Sequence, residues 1–142
     1  MRGALAALLA AGCVSAPPDR HFADYAPIPP GQARLYVYRP ETSTSTPRAG
    51  VSVSIDGRPL TLLARDEFAT VALPPGEHRV TANRTARPVE LAADRATFCR
   101  ILATSTGGVL LWDIRCGASQ EANAALRECS AAPLDRSVDW EQ

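Results

Sequence analysis

Four cysteines, Cys13, Cys99, Cys116 and Cys129, hold most of the reactive chemistry open to this chain. A thiol can carry an acyl group, ligate a metal, act as a nucleophile or pair with a second thiol, and spacing decides among these. Gly107-Gly108 stands midway between Cys99 and Cys116, flanked by two β-rich runs. If the glycines are the central residues of a tight hairpin turn, Thr106 faces Val109, Ile101 faces Ile114 and Cys99 faces Cys116. Counted from the turn, the cysteines form a non-hydrogen-bonded pair, where strands approach most closely, on the face that also carries Trp112. The same register sets Arg100 against Arg115, which is unfavourable. A turn at Thr106-Gly107 would set Arg100 against Asp113 instead and part the cysteines. Cys129 is the competing partner. A Cys116–Cys129 pairing is least favoured, because an intervening helix of about nine residues is roughly 13 Å long. The reading takes Cys99–Cys116.

Other chemistry is thinly supplied. The two histidines, His21 and His78, share no metal-ligand spacing with the cysteines, so neither a metal site nor a cofactor is expected. No serine sits in a nucleophile elbow. Asp66-Glu67 are neighbours and would point to opposite faces of a strand. An active site would need a cleft gathering several of Asp66, Glu67, His78 and Asp113. No catalytic residue is expected. Arg34, Arg39, Arg58 and Arg79 form a candidate arginine-lined surface for anionic sugars or head groups, weighed against plain solvated strand faces. All the basic residues are arginine and formal charge is balanced, so nucleic acid is not an expected partner.

Cys13 has a different context. Arg2, the apolar stretch Ala4 to Ala11 and the small residue Gly12 have the layout of a secretory signal. A cysteine directly after such a segment resembles a bacterial lipoprotein signal, with Cys13 as the acylated first residue. Ala10 stands where leucine is usual, with Leu9 one step further out. The stretch is too short to span a bilayer, whereas two or three acyl chains anchor stably. Since Val14-Ser15 lacks an aspartate, the expected location is the outer membrane, facing the periplasm.

These residues need a scaffold, and the 142-residue chain suffices for one core. Residues 1–12 read as the signal and 13–32 as a lipidated, proline-rich tether onto which Phe22 and Tyr25 could dock. Residues 33–130 read as the domain and 131–142 as a tail, with Val138 and Trp140 as possible contacts. Ala33 to Pro40 is β-rich, and Val51 to Ile55 alternates strictly before the Asp56-Gly57 turn. Pro59 to Leu63 and Phe68 to Leu73 follow, the latter closed by Pro74-Pro75-Gly76. His78 to Asn83 alternates again, Val89 to Leu91 reads as a short edge strand, and the Gly107-Gly108 hairpin comes last. Ser119 can cap a helix whose stripe is Ala122, Ala125, Leu126 and Cys129, with Glu121 in its first turn and Arg127 in its last. The fold class is mainly β: a small antiparallel β-sandwich of seven to eight strands with one C-terminal helix.

Arg34-Leu35-Tyr36-Val37-Tyr38-Arg39-Pro40, then Val53 to Pro59, then Leu73-Pro74-Pro75-Gly76-Glu77-His78, in that order behind a lipoprotein signal, resembles the bacterial lipoprotein family called domain of unknown function 2846. The resemblance covers roughly Ala33 to Glu128. It implies a prealbumin-like or carboxypeptidase-regulatory-like sandwich and brings no catalytic residues. The function expected is a lipid-anchored, non-catalytic envelope module that acts through a protein partner. The alternative is a carbohydrate or small-ligand module, which would show Tyr36, Tyr38 or Trp112 exposed in a concave pocket beside arginines.

Overall fold

A computed structural model describes residues 25–40, 49–118 and 121–140. Cys13, the expected signal segment, Phe22 and the expected cap Ser119 lie outside the described residues. The alternating runs form strands β1 (Ala33–Arg39), β2 (Val51–Ile55), β3 (Arg58–Leu63), β4 (Glu67–Leu73), β5 (Gly76–Ala82), β6 (Thr85–Leu91), β7 (Ala96–Thr106) and β8 (Val109–Gly117). Helix α1 (Glu121–Arg127) and a two-residue strand β9 (Ser130–Ala131) follow.

The strands make a sandwich of a five-stranded sheet, β8-β7-β1-β4-β9, and a four-stranded sheet, β3-β2-β5-β6. Asp56-Gly57 closes β2–β3 with positive φ at both positions, the requirement of the tight hairpin turn. Leu60 is the extra residue of a bulge in that hairpin, where the register shifts between Val53 and Ser54. Gly107-Gly108 closes β7–β8 in the same way. Strand β6 begins at Thr85, earlier than its apolar residues announce, because Arg87 and Pro88 face outward on an edge. The ladders β1–β7 and β4–β9 are parallel, so the five-stranded sheet is mixed.

One core lies between the sheets, built on Leu35, Val37, Val53, Ile55, Val71, Val80 and Ile101. A second lies on the outer face of the five-stranded sheet, where Tyr36, Tyr38 and Phe68 meet Ala122, Leu126 and Cys129. The helix stripe therefore has its own apolar floor, and β1 is buried on both faces. A strand covered twice reads as a continuous apolar run, which is what Leu35-Tyr36-Val37-Tyr38 is.

Two boundaries differ from the sequence reading. The end of the tether is part of the domain: the Tyr25 ring sits edge-on to Tyr36 and Phe98, at 5.8 and 5.7 Å between centroids. The Ala26 N–H donates to the Tyr36 hydroxyl and Arg34 donates to the Pro27 carbonyl. The tail is also packed. Trp140 is buried and donates its indole N–H to the Pro59 carbonyl, while Asp135 N–H and the Thr61 hydroxyl make further bonds between tail and β3. Aromatic burial outweighs the cost of ordering these short segments.

Candidate functional site

Cys99 and Cys116 face each other across β7–β8 and form a disulfide. The register is the one counted from Gly107-Gly108, Arg100 against Arg115 included. The like charges are tolerated because Asp113, two residues along the same face, accepts from Arg115 Nε at 3.2 Å and pairs with Arg87. Those two arginines hold the Asp113 carboxyl below its usual range, with the hydrogen bond from Arg115 the largest cause. Cys129 cannot compete. Cys99 belongs to the core between the sheets, whereas Cys129 belongs to the helix-covered core on the opposite face of β1. Burial, with Asp66, Glu128 and Glu67 nearby, pushes its thiol pKa up to about 12, so it stays protonated and inert.

Asp56 does more than turn a hairpin. Ladder β2–β5 has three residue pairs, Val53–Ala82, Ser54–Thr81 and Ile55–Val80. At one end Asp56 N–H donates to the Arg79 carbonyl and the Asp56 carboxylate accepts from Arg79 N–H. At the other end Asn83 N–H donates to the Ser52 carbonyl and its side-chain oxygen accepts from Ser52 N–H. Both residues have positive φ, which Asp and Asn tolerate best among side-chain-bearing residues. Each extends a short ladder by one rung, using its side chain where its backbone has turned away.

His78 completes the first clamp. Its Nδ1 lies 2.6 Å from the Asp56 carboxylate and its Nε2 lies 2.7 Å from the Pro74 carbonyl. Both partners only accept, so the ring donates twice and is an imidazolium. Burial works against both charges. The hydrogen bonds to Asp56 and the Pro74 carbonyl nevertheless raise His78 above 6.5, and those from Arg79 N–H and His78 hold Asp56 below 3.8. A raised histidine contributes stability that is complete below its unfolded pKa and lost as pH rises through its folded one. A depressed aspartate contributes above its unfolded pKa and loses it as pH falls through the folded value. The pair is therefore at full strength between about pH 4 and 6.5. His78→Ala should cost at most about 1 kcal/mol there, discounted because the Asp56 side chain is 44 % exposed. Thermal melts of both proteins from pH 4 to 9 should converge above pH 6.5, and a pH-independent gap would dismiss the ion pair.

The remaining candidates scatter. Arg39 is buried between the sheets, its guanidinium 4.8 Å from the Trp112 ring centroid. Arg34 lies on the opposite face of β1, and Arg58 packs over Trp140. Arg79 is exposed on β5, so the four arginines form no common surface. Asp66 N–H donates to the Arg39 carbonyl, Glu67 accepts from Ala64 N–H, and His78 and Asp113 sit in the separate clusters above. Tyr36 and Tyr38 are buried and offer no open platform, whereas Trp112, packed against Arg39, is half-buried. Pro74-Pro75-Gly76 makes the expected turn, with Gly76 already in β5 at φ 122°. Among the described residues no group of three His, Cys, Asp or Glu could hold a metal, and no helix is long and apolar enough to cross a membrane.

A different feature stands out. The last β1–β7 pair is Tyr38–Arg100, so from Ile101 onward β7 has only β8 beside it, and the two strands overhang the sheet as a ribbon. Three consecutive apolar residues lie exposed at its tip: Val109, Leu110 and Leu111, at 58, 40 and 50 %. A cleft of about 610 Å³ between the ribbon and the β5–β6 turn is lined by Asn83, Arg84, Leu110, Leu111 and Trp112. The available signal was the run Val109-Leu110-Leu111, three apolar residues in succession directly after the Gly107-Gly108 turn.

No protein-family model matches the chain, and no curated protein matches it. Among solved structures it is similar to the N-terminal domain of AlgF from P. aeruginosa, with a TM-score of 0.43 and 20 % identity. The likeness covers 63 % of this chain and 99 % of that one. At that level it bears on neither fold nor function.

Proposed function

We propose that this protein is a lipid-anchored, non-catalytic module of the bacterial cell envelope that docks a protein partner through the tip of its β7–β8 ribbon. The observation that carries the reading is the exposed run Val109-Leu110-Leu111. Single exposed apolar residues are ordinary, but a contiguous patch marks an interaction surface. Neighbours in a strand point to opposite faces, so the tip is apolar on both sides and suits insertion into a groove rather than contact with a flat surface. The cleft beside Trp112 offers the partner a place for a side chain of its own. The signal-like segment ahead of Cys13 and the resemblance to the domain of unknown function 2846 lipoproteins support an envelope setting.

The test has two parts. Cells expressing the protein or a Cys13→Ser variant are fractionated, and a photo-crosslinker is placed at Leu111 or, as control, at exposed Arg79. Membrane recovery that depends on Cys13, with a discrete adduct from Leu111 alone, is the expected result. With the crosslinker kept at Leu111, Val109→Ser with Leu110→Ser should abolish the adduct and change stability by no more than about 0.5 kcal/mol. Equal adducts from both positions would sink the docking tip, and membrane recovery of Cys13→Ser would sink the anchor.

A further inference from the structure

Exposed sheet edges invite additional strands, and natural domains block them. Three edges of this sandwich carry such a block. The tail bonds to the Pro59 and Leu60 carbonyls along β3. Strand β6 places Pro88, which has no N–H, on its edge. On β8, Ile114 N–H donates to its neighbour Asp113, and the Trp112 carbonyl accepts from the Thr85 hydroxyl.

Strand β4 differs. Strand β9 covers its edge only at Glu67 and Phe68, and Ala132 N–H donates to the Phe68 carbonyl at 2.8 Å. Backbone groups alternate sides along a strand, so Thr70 and Ala72 aim their N–H and C=O the same way as Phe68. No described residue bonds to these groups. A cleft of about 370 Å³ runs beside them, lined by Pro29, Arg34, Thr70, Ala72, Leu134 and Trp140.

We infer that the β4 edge from Thr70 to Ala72 accepts an extended peptide segment of another protein, one that carries a carboxylate side chain. Two features select this occupant. The first is continuity: β9 is already a strand added to this edge, and its ladder stops because the chain turns at Pro133 toward Thr61, while β4 runs on to Leu73. The second is charge. Arg34 reaches over the outer face to Thr70 Oγ1 at 3.3 Å, and no described carboxylate pairs with it. An incoming strand would set one side chain toward Arg34 and the next toward Leu134 and Trp140, so acidic and apolar residues should alternate. This edge is separate from the ribbon tip and stands whether or not the tip docks a partner.

The experiment titrates the ¹⁵N-labelled full chain with a capped seven-residue peptide alternating valine and glutamate. Two controls replace the glutamates by arginine or the central valine by proline. Thr70 and Ala72 amides should shift and exchange with solvent at least ten-fold more slowly. The arginine peptide should bind at least five-fold more weakly, and the proline peptide should not protect these amides. Ala72→Pro removes an outward N–H without touching the β1 ladder and should weaken binding at least ten-fold. If that variant does not fold, amide exchange in the unaltered chain decides alone. Unperturbed Thr70 and Ala72 at millimolar peptide would overturn the inference. So would equal affinity for the arginine peptide, or shifts confined to Val109–Leu111, which would leave only the ribbon tip as a docking surface.

Discussion

Reducing the Cys99–Cys116 bridge should destabilise the domain by about 3 kcal/mol, the chain-entropy value for a loop of this size. The cysteines are 17 positions apart and the loop they close is the overhanging ribbon with its base. Cys99 is fully buried, and Ile101–Ile114 packs beside the bridge, so reduction leaves the core's contacts in place. The main effect therefore falls on the unfolded chain, which regains the freedom the bridge withholds. Adding reductant should lower the denaturation midpoint and steepen the slope, because the unbridged unfolded chain is less compact and exposes more surface. A Cys129→Ala variant should lose the same amount on reduction as the parent does, because Cys129 belongs to the other core. A loss under about 1 kcal/mol would mean that the native ladder holds the ribbon closed without covalent help.

Arg39→Ala should cost about as much, roughly 3 kcal/mol, for an unrelated reason. Arg39 is 1 % exposed at the end of β1, and its Nη1 donates to the Ala49 carbonyl at 2.7 Å and the Leu63 carbonyl at 3.3 Å. One charged group thus ties β1 to the approach to β2 and the end of β3, joining the two sheets. The cation over the Trp112 ring adds on the order of 1 kcal/mol. Truncation to alanine strips two inward carbonyls of a donor and opens a cavity between the sheets. Arg39→Met keeps most of the volume and removes the buried charge, so it should cost less than half as much. Equilibrium unfolding of the two variants separates the contributions. Equal losses would assign the effect to the carbonyl bonds alone, and a small loss for alanine would show that water replaces the guanidinium.

The residues that spoke clearly in the sequence are those whose partners are nearby in the chain. Val51-Ser52-Val53-Ser54-Ile55 with Asp56-Gly57 specified a hairpin, and Gly107-Gly108 specified a register far enough to pair Cys99 with Cys116. The stripe Ala122, Ala125, Leu126 and Cys129 marked the buried face of α1. Distant partners were less legible. Nothing local says that β1 lies parallel to β7, and alternation cannot show that Tyr36 and Tyr38 face a second core. The unbroken apolar run of β1 carried that message. Arg39 looked like a solvated strand residue because composition cannot tell a bridging guanidinium from a surface one. Asp56 was legible as a turn residue, whereas its bonds to Arg79 and His78 depend on β5 lying beside β2.

The placement of β1 has a consequence for how the chain assembles. Leu35 lies opposite Val71 on one side and Thr97 on the other, and no hairpin includes it. The pairs β2–β3, β5–β6 and β7–β8 can each zip from a short turn, whereas the strand at the centre must wait for segments made long after it. Until then Leu35-Tyr36-Val37-Tyr38 is exposed on both faces and is the stretch most prone to stray contacts. The first strand of the domain to be synthesised is thus among the last to be enclosed.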